Sequence, residues 1–134
     1  MTDHHSALIY AMVLASAADR EMTDTELRRI GQIVDRLPVF DDFDTDALAA
    51  RAAECAELLN AEDGLEAVIE AIRGALPQKL RETAYAVACE IVVADGKVAQ
   101  EEVRLLEMLA EGLPIDRLAA AAIERGARAR HMRL

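Results

Sequence analysis

Tryptophan is absent, and all aromatic side chains together make up only 3% of the 134 residues. Sheet sandwiches and barrels draw heavily on aromatic and β-branched residues, and both are sparse here. Alanine, leucine, glutamate and arginine take their place within an apolar fraction of 53%. These are strong helix formers, so the composition implies an all-α fold.

Other shortages exclude whole classes. There are two cysteines, Cys55 and Cys89, each inside an apolar helical pattern; they are expected as buried thiols, which excludes a disulfide framework. Long apolar runs are missing. The longest, Ala7 to Ala18, has twelve residues and is too short for a bilayer, so no direct membrane span is expected. A basic excess is missing too: 25 acidic residues against 15 basic ones give a net charge of −10. Phosphate backbones are bound by neutralising Lys and Arg, so nucleic acid is excluded as a general partner. The stretch Met1 to Ser6 lacks the charged n-region of a signal peptide, and a cytoplasmic location is expected. The length suits one domain, 1–134, that buries roughly two-thirds of its unfolded surface without staples.

What is present is repetition. Displaced by 76 positions, residues 8–39 lie over residues 84–115 without a gap. Ala18 meets Ala94, Asp19 meets Asp95, Glu26 meets Glu102, Arg28 meets Arg104, and Leu37-Pro38 meets Leu113-Pro114. Met22/Val98, Leu27/Val103, Ile30/Leu106 and Ile33/Leu109 keep apolar character at matched positions. Each copy reads as helix, short acidic loop, helix, then a Leu-Pro stop. Gly96 suits the left-handed residue that ends a helix. Between the copies, Asp44 or Thr45 caps a helix with the stripe Leu48, Ala52, Cys55 and Leu59, and another runs from Leu65 to Leu76 before Pro77. A last helix follows Asp116, with the stripe Leu118, Ala122 and Ile123. The expected architecture is a compact bundle of about seven helices with two pseudo-symmetric helix–acidic loop–helix hairpins.

The chemistry concentrates in the two loops. Asp95-Gly96-x-Val98-x-x-x-Glu102 matches the second half of a calcium loop. The first half is missing, because Ile91 and Val93 stand where two more oxygen ligands belong, and an EF-hand is excluded. If the loops converge, Asp19, Glu26, Asp95 and Glu102 form a candidate metal site. Two carboxylates about 4 Å apart repel by on the order of 4 kcal/mol at an effective dielectric of 20, and a shared divalent cation reverses that sign. Oxygen ligands suit Ca²⁺, Mg²⁺ or Mn²⁺ better than zinc.

A structural reading competes. Thr23-x-x-Glu26 is a capping box, which alone accounts for Glu26. The equivalent cap is Ala99, so Glu102 is expected to lack the reciprocal partner. Asp19 and Asp95 fall near helix C-termini, where negative charge is disfavoured and an Asx turn onto the loop offers compensation.

The segment Ala94-Asp95-Gly96-Lys97-Val98-x-x-Glu101-Glu102, preceded by Arg81-Glu82-Thr83-Ala84-Tyr85, resembles the tellurite resistance protein TerB family. Related TerB-like modules include one attached to a membrane-anchored J-domain co-chaperone. The likeness covers nearly the whole chain, with Ala18-Asp19-Arg20-Glu21-Met22 as the weaker first copy. It implies an all-helical domain whose acidic residues hold metal ions, here Asp19, Glu26, Asp95 and Glu102. It also implies a part in tellurite and other chemical stress alongside membrane-associated protein partners, hence a cytoplasmic protein peripheral to the inner membrane. Arg20 departs from the family's glycine and puts a cation beside Asp19, which favours the second loop.

The remaining candidates are weaker. Arg125, Arg128, Arg130 and Arg133 read as a solvated helix end favoured by the macrodipole, or as a docking tail for an acidic partner or membrane surface. Asp41 to Asp46 reads as a solvated loop plus helix cap. Glu90 is expected at the rim of its helix and His131 in isolation. His4 and His5 point about 100° apart on a helix, make no chelating pair, and read as a frayed terminus. No nucleophile–base arrangement, phosphate-cradling loop or zinc spacing is present, so neither an enzyme nor an organic cofactor is expected. Two functions remain: a cation-responsive stress protein, or a purely structural helical interaction module with no bound metal.

Overall fold

The computed structural model describes residues 2–16, 23–94, 96 and 98–134. Among the described residues there are seven α-helices and no strand: α1 (His4–Ser16), α2 (Asp24–Arg36), α3 (Leu48–Leu59), α4 (Gly64–Ala75), α5 (Gln78–Val93), α6 (Gln100–Gly112) and α7 (Arg117–Arg130). Single 3₁₀ turns at Pro38–Phe40 and Thr45–Ala47 bridge α2 to α3.

Local signals set the helix boundaries. Asp116 accepts a hydrogen bond from the Ala119 N–H at 3.2 Å and opens α7. Asp44 accepts from the Asp46 N–H at 3.0 Å and caps the second 3₁₀ turn, so α3 begins at Leu48. Leu37 and Leu76 turn extended just before Pro38 and Pro77, which cannot continue a helix. Gly96 adopts φ +78°, the left-handed conformation expected of it, and its N–H bonds to Val93 O at 3.1 Å. Gly64 is fixed by crowding: a Cβ there would lie 2.5 Å from the Leu59 carbonyl oxygen, where α3 turns into α4.

The core forms where the two copies of the repeat meet. The first helices of the copies, α1 and α5, pack on each other more extensively than any other pair. Each also touches the second helix of the opposite copy, α1 against α6 and α5 against α2. The sequence pattern predicts a stripe of Leu8, Ala11, Met12 and Ala15 on α1, yet every residue from His5 to Ala15 is buried. Flanked by α2, α3, α4, α5 and α6, α1 has no solvent face, as expected of a helix apolar all round. Each fully buried Leu, Ile or Met along it contributes about 1.5–3 kcal/mol.

Two expectations are corrected. The buried face of α7 is Ala120 and Ala127, with Ile123 half-buried, while Leu118 is 81% exposed. Small alanine side chains let α7 lie close on α5, and leucine at the wrong phase points to water. The terminus is not frayed either: His5 is buried, its Nε2 lies 2.9 Å from Val39 O and 3.2 Å from Asp42 Oδ1, and its ring stacks on Phe40.

Candidate functional site

The cap residues that open α2 and α6 share the same backbone geometry. Thr23 has φ −78° and ψ 162°, and Ala99 has φ −78° and ψ 157°. Thr23 Oγ1 accepts from the Glu26 N–H at 3.1 Å, and Glu26 Oε1 accepts from the Thr23 N–H at 3.0 Å, a complete capping box. Glu102 Oε1 accepts from the Ala99 N–H at 2.8 Å. Glu102 lacks the reciprocal hydroxyl, as Ala99 led one to expect, yet its own carboxylate still closes the helix. A glutamate at this position bonds a backbone N–H, which any cap residue but proline supplies. What Ala99 lacks is the return bond from a hydroxyl.

Both glutamates are half-buried and commit one carboxylate oxygen to closing their own helix. The other oxygen of each has no protein hydrogen bond among the described residues. Asp19 and Asp95 lie outside the described residues. Among those that are described, no three His, Cys, Asp or Glu side chains group where a metal ion could be held. Glu26 and Glu102 by themselves do not make a site, and an ion held there would need the two aspartates as further ligands.

Leu14, near the end of α1, lines one cleft with Gln100 and Glu101 of the first turn of α6. The helix entering the first loop thus runs beside the helix leaving the second. A further cleft of about 250 Å³ opens beside the second loop, between α5, α6 and α7. Val92, Val93, Val98, Val103 and Leu106 make it apolar, and Tyr85, Cys89 and Glu124 line it too. Val98 and Val103 are 50% and 39% exposed. In the first copy, Leu48 of α3 lies over Gly31, 3.5 Å from where a Cβ would stand, and Ile30 is wholly buried. The second copy has Glu107 in place of Gly31, and Leu106, the counterpart of Ile30, is only half-buried. The repeat is broken here, and the cleft is left open.

The Tyr85 hydroxyl donates to Glu124 Oε2 at 2.6 Å. Burial, and then that hydrogen bond, raises its phenol above the ordinary range. Burial also pushes the Cys89 thiol up to about 12, with the Glu124 charge adding to it, and burial alone does the same for Cys55. Neither thiol is disposed to act as a nucleophile or metal ligand.

Sequence reasoning missed a second polar cluster. Glu90 pairs with Arg130, and its Oε2 lies 2.6 Å from His131 Nε2. Glu90 occupies the rim as expected, but His131 is not isolated, and part of the basic C-terminal segment is tied back onto α5. The signal lay in the repeat itself: the first-copy counterpart of Glu90 is Leu14, so the carboxylate is a departure from the pattern.

No helix among the described residues is long and apolar enough to cross a membrane. No curated protein and no solved structure matches the chain significantly. The profile of the family described as Tellurite resistance protein TerB, however, matches residues 5–125. That span takes in both copies of the repeat, both acidic loops and the helices between them, and the chain is a member of the TerB family.

Proposed function

We propose that this protein is a non-enzymatic stress-response protein of TerB type. In this reading it binds a divalent cation, Ca²⁺, Mg²⁺ or Mn²⁺, through Asp19, Glu26, Asp95 and Glu102. It acts with membrane-associated partners in resistance to tellurite and other chemical stress, in the cytoplasm and peripheral to the inner membrane. The observation that supports it is the twin geometry of Glu26 and Glu102. Each is held at the start of its helix by one oxygen, with the second oxygen uncommitted among the described residues. A carboxylate positioned this way loses little freedom on taking up an ion, and an all-oxygen set favours hard cations.

Calorimetric or amide-shift titration with Ca²⁺, Mg²⁺, Mn²⁺ and Zn²⁺ tests the proposal. Asp95→Asn and Glu102→Gln are expected to weaken binding while leaving helicity intact, since a glutamine carbonyl still accepts from the Ala99 N–H. Silence from all four ions at millimolar concentration ends the cation reading.

A second reading, a helical interaction module with no bound metal, is favoured by the open apolar cleft beside the second loop. It expects Val103→Glu to abolish partner capture from a lysate and Glu102→Gln to leave it unchanged.

A further inference from the structure

We infer that the cleft between α2, α5 and the C-terminal end of α7 is a binding site for a small amphipathic carboxylate, with Glu90 as its resident competitor. It shares no lining residue with the clefts that take in Leu14 or Val98, and its volume is about 560 Å³. Ile33, Leu37, Ala86 and Val87 give it an apolar lining, and Arg36, Arg130 and His131 supply the polar groups opposite Glu90.

Three observations carry this. The first is a carboxylate already bound there: Glu90 is gripped by Arg130 and by His131. Guanidinium and imidazole N–H groups arranged to hold one carboxylate can hold another of the same geometry. The ends of α2 and α7 present helix dipoles that oppose an anion. Glu90 is held beside them nonetheless, so the cations outweigh the dipoles.

The second is charge. The chain carries −10 overall, yet two arginines and a histidine face a single carboxylate in this cleft. Arg36 has no ion pair among the described residues. One more negative charge balances the site.

The third is the broken repeat. The position of Glu90 is a leucine, Leu14, in the first copy, where it is 5% exposed and lines a cleft against α6. Exchanging that leucine for a carboxylate, with cations brought opposite it by α2 and α7, turns an apolar contact into a polar end wall. The apolar lining that remains suits a short hydrocarbon tail, so inorganic anions fill only half of the site.

Hexanoate is a suitable probe, followed by amide shifts of the full chain, with acetate and 1-hexanol as the anion-only and tail-only controls. Hexanoate is expected to give saturable shifts at Leu37, Ala86 and Val87 in the low-millimolar range, with both controls about tenfold weaker. Glu90→Gln keeps the side chain's shape and removes the competing charge, so it is expected to tighten hexanoate by about tenfold. Arg130→Gln, checked for retained helicity, is expected to weaken it by a similar factor. Absence of saturable shifts in both the wild type and Glu90→Gln overturns the inference. So does acetate or hexanol binding as tightly as hexanoate, or Glu90→Gln binding more weakly than the wild type. Cation titration at the acidic loops is read from different amides and is independent of either outcome.

Discussion

Tyr85 on α5 reaches Glu124 on α7 through a 2.6 Å hydrogen bond, which ties the middle of the last helix to the core. The phenol is 2% exposed while Glu124 is only half-buried, so the bond runs from the interior to the wall of the α5–α6–α7 cleft. Tyr85→Phe keeps the ring and removes the donor. Hydrogen bonds to charged acceptors are worth somewhat more than neutral ones, and a loss of about 1–2 kcal/mol is expected. Urea unfolding of the two proteins at pH 7 measures it. Equal midpoints would mean that the alanine face of α7 and the Glu90 pairs at its end carry the docking without this bond.

The raised acidities of the buried groups give a sign for the pH dependence. Burial pushes the Cys55 and Cys89 thiols up to about 12 in the folded chain, well above an exposed thiol. Above pH 9 the unfolded chain gives up protons that the folded chain keeps, so the folded state loses ground. Stability is expected to decline steadily from pH 9 through about 12. The raised Tyr85 phenol acts in the same direction above pH 10. Urea midpoints at pH 8, 9 and 10 test this, and Cys89→Ala should flatten the slope. A disulfide-exchange reagent at pH 8 should label neither thiol until the chain is unfolded.

The second copy of the repeat lacks a part that the first possesses. Thr23 returns a hydrogen bond to the Glu26 N–H, and Ala99, with a backbone within a few degrees of it, cannot. Ala99→Thr is expected to complete the box and stabilise the chain by about 0.5–1 kcal/mol, while Thr23→Ala costs a similar amount. Thermal unfolding of both variants checks the pair. Opposite signs are required, and a destabilising Ala99→Thr would show that the two loops differ in more than the cap.

Gly64 tests crowding against propensity. Alanine is the better helix former by about 1 kcal/mol, so a sequence argument favours Gly64→Ala at the start of α4. The structure favours the reverse, because the new Cβ would fall 2.5 Å from a backbone oxygen that cannot swing aside. A net loss of about 1–3 kcal/mol is expected from the forced shift of the α3–α4 turn. Gly74→Ala, at a site with nothing within 4 Å, supplies the control and should be neutral or stabilising.

The helices were legible because each is announced locally. Asp116, Pro38, Pro77, Gly96 and the repeat at 8–39 and 84–115 all act within a few residues of the boundaries they set. What failed was whatever depends on distant partners. Leu118 looked like a core residue by hydropathy, but the helix docks by its smallest side chains, Ala120 and Ala127. His131 looked isolated because Glu90 is forty-one residues away. The Glu102 cap is hidden for a different reason: its partner is a backbone N–H, which no residue type at position 99 announces. Of the candidate metal site, Glu26 and Glu102 stand in the first turns of α2 and α6, while Asp19 and Asp95 lie outside the described residues.

His5 shows most directly how a long-range contact can hide in a polar terminus. Its ring lies 5.5 Å from Phe40 and 5.2 Å from Phe43, the only two phenylalanines in the chain, while Nε2 lies 2.9 Å from Val39 O. It thus anchors the 3₁₀ turn after α2 to the start of the central helix. His5→Ala removes the ring and leaves the carbonyl unpartnered, and a loss of about 2–4 kcal/mol is expected. His5→Phe restores the ring without the donor and should recover all but about 1 kcal/mol of that. Urea midpoints separate the two contributions. If His5→Phe is as damaging as His5→Ala, the hydrogen bond holds the turn; if neither changes the midpoint, the turn is anchored by the Pro38–Phe40 backbone instead.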